Sequence, residues 1–538
     1  MIFDAVCKGL YWLILGVFGA ILLGFVGVIS FFAGPFGIAI WGFVGFCIKL
    51  YIEGNKETER WQKKQREQAN TFNPVPIHLS AHFATDAELE AAGCFRGGIP
   101  LGYSQESGRE ISTPQAVHRS TFGSTGSGKS TTAIINEILT AGDEVSLIIP
   151  DSTGEITATT ADYRAQVSNT VIVNPQGVFL DELGDLPQGG FNILSPKWID
   201  PNDEYNFAIR AQKAANAIVR RDPNLRDPYW ADTCRQLTTN AIMTECQYSP
   251  NPSIVNVANV MLRDITGYAR DMMNTGDPWL VKLWGRWGRP GAEEIKSLNE
   301  VQENARTEFW PYTMIPPVAE CLSKDDIDFR EAVYRPMTIY IVGKMETVKE
   351  TGRLLRLATA HATAQIMSVA GQGRLRAKLI IDELFQIGQI DDLDSNLAAN
   401  RKYGLDLFLC LNDHQQLKDL FPQTFDSVIN SCGIRQWINA PDPTTSEYLS
   451  SLCGEREVIT ISRTVNDNQG KLGVGDGKQV STRRLILPHE VRSLGPREQI
   501  LWVPGVLNPV RCNRKAYFDI PELCQRAKPN PFYSRKRA

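Results

Sequence analysis

An α/β phosphate-loop fold, interrupted by a helical block and preceded by a membrane-spanning hairpin, is the architecture that the 538 residues predict. Three observations carry it. Gly123-Ser124-Thr125-Gly126-Ser127-Gly128-Lys129-Ser130 satisfies G-x-x-x-x-G-K-[ST]. Short apolar runs alternate with glycine turns on both sides of a helical region, and one of them, Leu379-Ile380-Ile381, ends in Asp382-Glu383. The 40 residues from Gly9 to Ile48 contain no charged side chain.

That charge-free run is about twice what one helix needs to cross about 30 Å of hydrocarbon at about 1.5 Å per residue, so two crossings are expected. The break falls at Ala33-Gly34-Pro35, where proline removes a backbone donor. Lys49, Lys56, Arg60, Lys63, Lys64 and Arg66 follow the second span. The bias toward positive cytoplasmic flanks then puts both chain ends and the large remainder on the cytoplasmic side of the membrane. The run is too long for a cleaved signal peptide.

Residues 1–52 are thus read as a transmembrane hairpin and 53–96 as a charged stem and linker. Residues 97–200 form the first part of a nucleotide-binding domain, with strands clearest at Val145 to Ile149 and Thr170 to Val173. From 201 to 330 the pattern turns helical, and six of the eleven tryptophans lie between Trp198 and Trp310. This stretch reads as a separate all-helical insertion. Strand rhythm resumes over 331–520 at Met337 to Val342, Leu379 to Ile381, Leu405 to Leu411 and Ile500 to Val503. Residues 521–538, with Arg535-Lys536-Arg537, read as a flexible basic tail.

The chemistry of the phosphate loop explains its pattern. Glycines let backbone N–H groups wrap phosphates, the Lys129 ammonium reaches the β and γ oxygens, and the Ser130 hydroxyl ligates Mg2+. Thr131 to Leu139 is the expected helix, its N-terminal dipole aimed at the phosphates. The strand before the loop, Val117 to Phe122, is more polar than a buried central strand usually is. Asp382 is expected to hold Mg2+ with Ser130, and Glu383 to orient the water that attacks the γ-phosphate of ATP. The helical block lies between the two motifs, which disfavours small GTPases and simple kinases, and no Leu-Ser-Gly-Gly-Gln-like signature marks an ABC ATPase.

Composition narrows little else. A formal charge of −4 rules out a wholly basic nucleic-acid coat while leaving room for a local basic channel. Eleven cysteines without a Cys-x-x-Cys pair fit a reducing compartment, and six dispersed histidines offer no structural zinc site.

Taken in order, these elements resemble the coupling-protein ATPases of type IV secretion and conjugation, a TraG/TraD-like family. The resemblance runs through the two-span N-terminus, Leu101-Gly102, the phosphate loop, Asp151 with Gly154-Glu155, Asn174-Pro175 and Phe191-Asn192. It continues through Asp227 with Tyr229-Trp230, Ile381-Asp382-Glu383-Leu384, Leu397 to Gly404, Leu485 to Glu490 and Gln499 to Val503. It implies a RecA-like P-loop NTPase domain with an all-α insertion, assembling as a homo-hexamer that uses ATP and Mg2+. Partners implied are the secretion-channel ATPases, inner-membrane components, and substrates that are relaxase-bound single-stranded DNA or protein effectors. Arg401 matches the family's arginine finger. Two departures stand out: Asn412 where the family often has a γ-phosphate-sensing glutamine, and Thr153 where it usually has lysine.

The substrate stays open at this level. Residues 201–330 carry 15 Lys+Arg against 18 Asp+Glu, and Trp284-Gly-Arg286-Trp287-Gly-Arg289 is the one segment with the look of a base-stacking strip, or of tryptophans packed between helices. A double-stranded DNA translocase and a nucleotide-binding membrane receptor with little ATPase activity are the alternatives. Removing residues 1–52 is expected to give a soluble, largely monomeric protein, because the hairpin concentrates subunits in two dimensions. Light scattering on the truncated chain checks this, and stable hexamers at low concentration would contradict it.

Overall fold

The computed structural model describes residues 49, 81–114, 117–221, 228–289, 291–369, 371–391, 393–394, 397–468 and 471–534. The expected membrane hairpin, most of the stem and the last four basic-tail residues lie outside that set. Among the described residues no helix is long and apolar enough to cross a membrane.

Contacts group Ser80–Ala538 into one compact unit. Eleven of its strands form one mixed sheet: β1 (Ile99–Ser104), β2 (Glu110–Thr113), β3 (Arg119–Phe122), β4 (Val145–Asp151), β5 (Asn169–Val173), β6 (Met337–Val342), β7 (Arg376–Ile381), β8 (Leu405–Leu411), β9 (Ile434–Trp437), and, after a separate ribbon of β10 (Glu455–Asn468) and β11 (Lys471–Arg484), β12 (Glu498–Trp502) and β13 (Val510–Asn513). The spatial order is β2-β1-β13-β12-β9-β3-β8-β7-β4-β6-β5. From β9 to β5 neighbours run parallel, and β12, β13, β1 and β2 extend the sheet antiparallel.

Parallel strands buried on both faces need continuous apolar runs, and β6, β7 and β8 supply them. Strand β3 does not, yet its four residues are all buried. Its Arg119 and Thr121 side chains find buried partners. Arg119 Nη1 donates to Glu137 Oε2 at 2.6 Å, and Arg119 Nη2 and Thr121 Oγ1 donate to Gln436 Oε1 at 2.6 and 2.8 Å. Glu137 also accepts from Lys378 on β7. Burial disfavours the Glu137 anion, but Lys378 and Arg119 outweigh that and hold its pKa below the usual carboxylate value.

The chain leaves the sheet after β5 and returns at β6, its hydrogen-bonded neighbour, so the helical insertion does not disturb strand order. Its long helices are Phe207–Ile218, Tyr229–Tyr248 and Ala292–Met314. The expected all-helical insertion shares one hydrophobic cluster with the sheet, from Phe207, Leu237 and Trp284 to Ile339, Leu379 and Leu409. Arg356, on the helix Val348–Ser368 of the sheet domain, donates to Ala217 O and Ile218 O of the insertion.

Two boundaries move. Residues 81–96 are folded rather than linker: Thr85 and Glu88 form a capping box for Asp86–Ala91, and Leu89 and Cys94 pack with Leu101 and Ile111. Residues 521–534 are not a flexible tail. They form helices Pro521–Arg526 and Pro531–Ser534, tied down by Arg526 Nη1 to Leu139 O at 2.7 Å and by Lys528 Nζ to Asp162 at 2.9 Å. Proline and basic residues suggested solvent exposure, but these cations meet a helix C-terminus and a surface acid.

Glu137→Ala would leave Arg119 and Lys378 as unpaired buried cations, an expected loss of about 3–5 kcal/mol. Thermal and denaturant unfolding of the variant check this, and an unshifted transition would show the network to be dispensable.

Candidate functional site

The sheet register sets the site. Phe122 pairs with Leu411, and Ile381 with Leu409, so β3, β8 and β7 end together and deliver Gly123, Asn412 and Asp382 to one edge. Above that edge opens a cleft of about 1870 Å³ including its mouth, lined by Thr125, Gly126, Gly128, Lys129, Ser130 and Thr131 on one side and Asp382 and Glu383 on another. Gly126 and Gly128 have φ of 76° and 88°, the left-handed conformation that glycine adopts without strain and that a phosphate-cradling loop requires. The following helix starts as a π turn over Ser130–Ile134 and continues as α over Ile135–Thr140, close to the expected span.

Lys129 is buried, and its Nζ donates to Gly123 O at 2.6 Å and Asn412 Oδ1 at 2.7 Å. Asn412 is itself held by its backbone N–H donating to Gln416 Oε1 at 2.9 Å. Although one methylene shorter than glutamine, it therefore reaches the loop lysine. Ser130 Oγ donates to Asp382 Oδ1 at 3.3 Å. A hydroxyl and a carboxylate make an all-oxygen donor pair of the kind that suits Mg2+.

Acids crowd around this one lysine. Burial, then Glu383 and Asp151, push Asp382 up to about 8, against which Lys129 pulls down. Burial likewise raises Glu383, and burial raises Glu155 although Asn530 hydrogen-bonds it. Such a carboxylate cluster is short of positive charge, and a divalent cation at Ser130 and Asp382 would supply it.

Asp151 and its loop have a structural task. Its carboxylate accepts from the backbone N–H of Gly154 at 2.9 Å and of Thr157 at 2.8 Å, and from Thr157 Oγ1 at 2.7 Å, capping the helix Glu155–Val167. Thr153 lines the cleft and donates its hydroxyl to Asp151.

Other expected site residues sit back from the cleft. Ser124 Oγ lies 3.4 Å from Asn439 Nδ2, and Ser127 O accepts from Arg514 Nη1 at 2.6 Å. Arg401 is not brought to the cleft at all. It is exposed at the end of helix Leu397–Lys402, and its carbonyl accepts from Arg376, the first residue of β7. Asp382 follows the last residue of that strand, about 20 Å away at about 3.3 Å per residue.

The sequence reading missed Arg514, Tyr517, Phe518, Pro529 and Asn530, which the fold brings to the loop or the cleft wall. No motif marks them. The Trp284 segment resolves toward packing: Trp284 is fully buried with its indole N–H on Thr244 Oγ1 at 2.9 Å, and Trp287 is also buried.

A family model described as "Type IV secretory system Conjugative DNA transfer" matches residues 95–537. A conjugal transfer protein TraG from Rhizobium radiobacter is 24% identical, covering 95% of this chain and 80% of the relative. The type IV secretion system-coupling protein VirD4 of Bartonella quintana is 28% identical over a shorter stretch, 31% of this chain and 26% of that protein. The solved bacterial conjugative coupling protein TrwB, lacking its N-terminal 70 residues and in complex with sulphate, shares the fold at a TM-score of 0.61 and 17% identity, covering 82% of this chain and 96% of that one. Another TrwB structure, in complex with ADP and Mg2+, has a TM-score of 0.58 at 17% identity, covering 81% and 94%.

Asp382 gives the nucleotide-free protein a pH signature. A carboxyl raised from 3.8 to about 8 favours the fold fully below its unfolded value, and that contribution fades as pH climbs to about 8. Asp382→Asn is neutral throughout, so it is expected to raise the melting temperature more at pH 8.5 than at pH 5.5, where only part of that contribution has been lost. Equal melting shifts at both pH values would contradict the raised pKa.

Proposed function

Since this chain belongs to the type IV secretory system conjugative DNA transfer family, we propose that it is a membrane-anchored coupling ATPase that recruits substrates and passes them to a secretion channel. The observation that carries the reading is the convergence of Lys129, Ser130, Asp382 and Glu383 on one sheet edge, in a cleft large enough for a nucleoside triphosphate. TrwB, whose fold this chain shares, has been solved with an ATP analogue and with ADP and Mg2+.

ATP is the substrate in this reading, with its phosphates in the 123–130 loop. Lys129 exchanges its present partners, Gly123 O and Asn412 Oδ1, for phosphate oxygens. Asn412, released from Lys129, is then placed to meet the γ-phosphate. Ser130 and Asp382 hold Mg2+, which supplies Lewis-acid stabilisation of the transferring group. Asp382 must lose its proton to do so. Glu383 holds and orients the attacking water, and its raised pKa strengthens it as a proton acceptor.

Arg401 is exposed about one strand length from its own site, so it can serve only a neighbouring copy. As an arginine finger in a hexamer it would contribute a rate factor of roughly 10³ or more, making hydrolysis depend on assembly. The inner-membrane hairpin at 1–52, channel ATPases and membrane components as partners, and relaxase-bound single-stranded DNA or protein effectors as cargo belong to the same proposal. Trp284 and Trp287, both packed inward, leave the Trp284–Arg289 segment without an exposed tryptophan face for DNA.

The test is ATP hydrolysis by the detergent-extracted full-length protein, with and without single-stranded DNA. Lys129→Ala and Glu383→Gln are each expected to cut turnover by about 10² or more without changing membrane insertion. Stimulation by DNA that the variants lack supports a conjugative motor, and turnover indifferent to DNA points to protein cargo. No turnover above the Glu383→Gln level would replace the motor with a nucleotide-binding receptor.

A further inference from the structure

The cleft has a second end, built from the last residues of the chain. Beyond the phosphate loop its walls are Tyr517, Phe518, Pro529 and Asn530. Tyr517 is buried in the cluster that contains Ile134 and Ile138 of the loop helix. Phe518 packs edge-to-face on it with ring centroids 5.2 Å apart, yet is 56% exposed. A phenyl ring left this open on a cleft wall, and backed by a second ring, is an unfilled stacking surface.

The position of that ring is coupled to the phosphate loop. Arg514, three residues before Tyr517, donates from Nη1 to Ser127 O at 2.6 Å and from Nη2 to Pro496 O at 2.6 Å. Lys515 O accepts from Asn136 of the loop helix at 3.0 Å. The turn Tyr517–Asp519 is therefore clamped to the element that would hold phosphates and lines the same cleft.

We propose that Phe518 is the platform on which the base of the bound nucleotide stacks. Asn530, which closes this end of the cleft, is already committed: Nδ2 donates to Glu155 Oε1 at 2.5 Å and Oδ1 accepts from the Phe532 N–H at 3.0 Å. Stacking accepts any π-face, so the platform takes adenine and guanine alike. This inference rests on the nucleotide reading of the phosphate loop and adds to it the half of the ligand that the loop motif does not specify.

The experiment measures binding to the full-length, detergent-extracted protein by calorimetry, using non-hydrolysable analogues of ATP and GTP and, as a ligand without a base, inorganic tripolyphosphate, all with Mg2+. Phe518→Ala is expected to weaken both analogues by about ten-fold, leave tripolyphosphate unchanged, and be rescued by Phe518→Trp. Unchanged analogue binding in Phe518→Ala overturns the platform, as does an equal loss for tripolyphosphate, which would mean a collapsed site. Failure of the unmodified protein to bind tripolyphosphate or either analogue would instead overturn the nucleotide reading, and the platform with it.

Discussion

Glu137 lies beneath the phosphate loop with Arg119 of β3 on one side and Lys378 of β7 on the other, all three almost fully buried. Strand β8 runs between those two, and its Phe408 ring lies 4.2 Å under the Arg119 guanidinium. One carboxylate on the loop helix is thereby tied to the strand that enters the loop and to the strand that ends in Asp382. Buried charges are tolerated only when paired and hydrogen-bonded, and this pairing is satisfied in one arrangement of helix over sheet. The spacing between Lys129 and the Asp382–Glu383 pair depends on it.

What sits above that support is electrically unbalanced. Burial raises the pKa values of Asp382 and Glu383 against the pull of Lys129, and that of Glu155 against its hydrogen bond from Asn530. The imbalance is a form of preorganisation: a site that holds acids out of water gains most from a bound cation and from the phosphates it brings.

The closing residues of the chain complete this arrangement. Arg514 donates to the loop at Ser127, Arg526 to the last turn of the loop helix at Leu139, and Asn530 to Glu155. Burial lowers the Arg514 pKa to about 10, still far above neutrality, so the guanidinium remains a charged clamp. The phosphate loop is thus bounded by residues nearly four hundred positions later in the chain.

Much of the chemistry was legible in contiguous residues. The loop motif, the apolar strand ending in Asp382-Glu383, and the helical periodicity of 201–330 are local patterns, so Lys129, Ser130, Asp382 and Glu383 could be assigned before any fold was known. The antiparallel half of the sheet, the burial of polar β3, and the aromatic end of the cleft could not. Tyr103 pairs with Asn513, Thr121 is satisfied by Gln436, and Phe518 reaches the cleft through Arg514. Each depends on a partner hundreds of residues away, and a one-dimensional pattern carries no signal for a contact that only exists once the chain has closed on itself. Local sequence determined which groups are the candidates for the chemistry; tertiary structure decided what surrounds them, because burial and long-range pairing are properties of the packed chain.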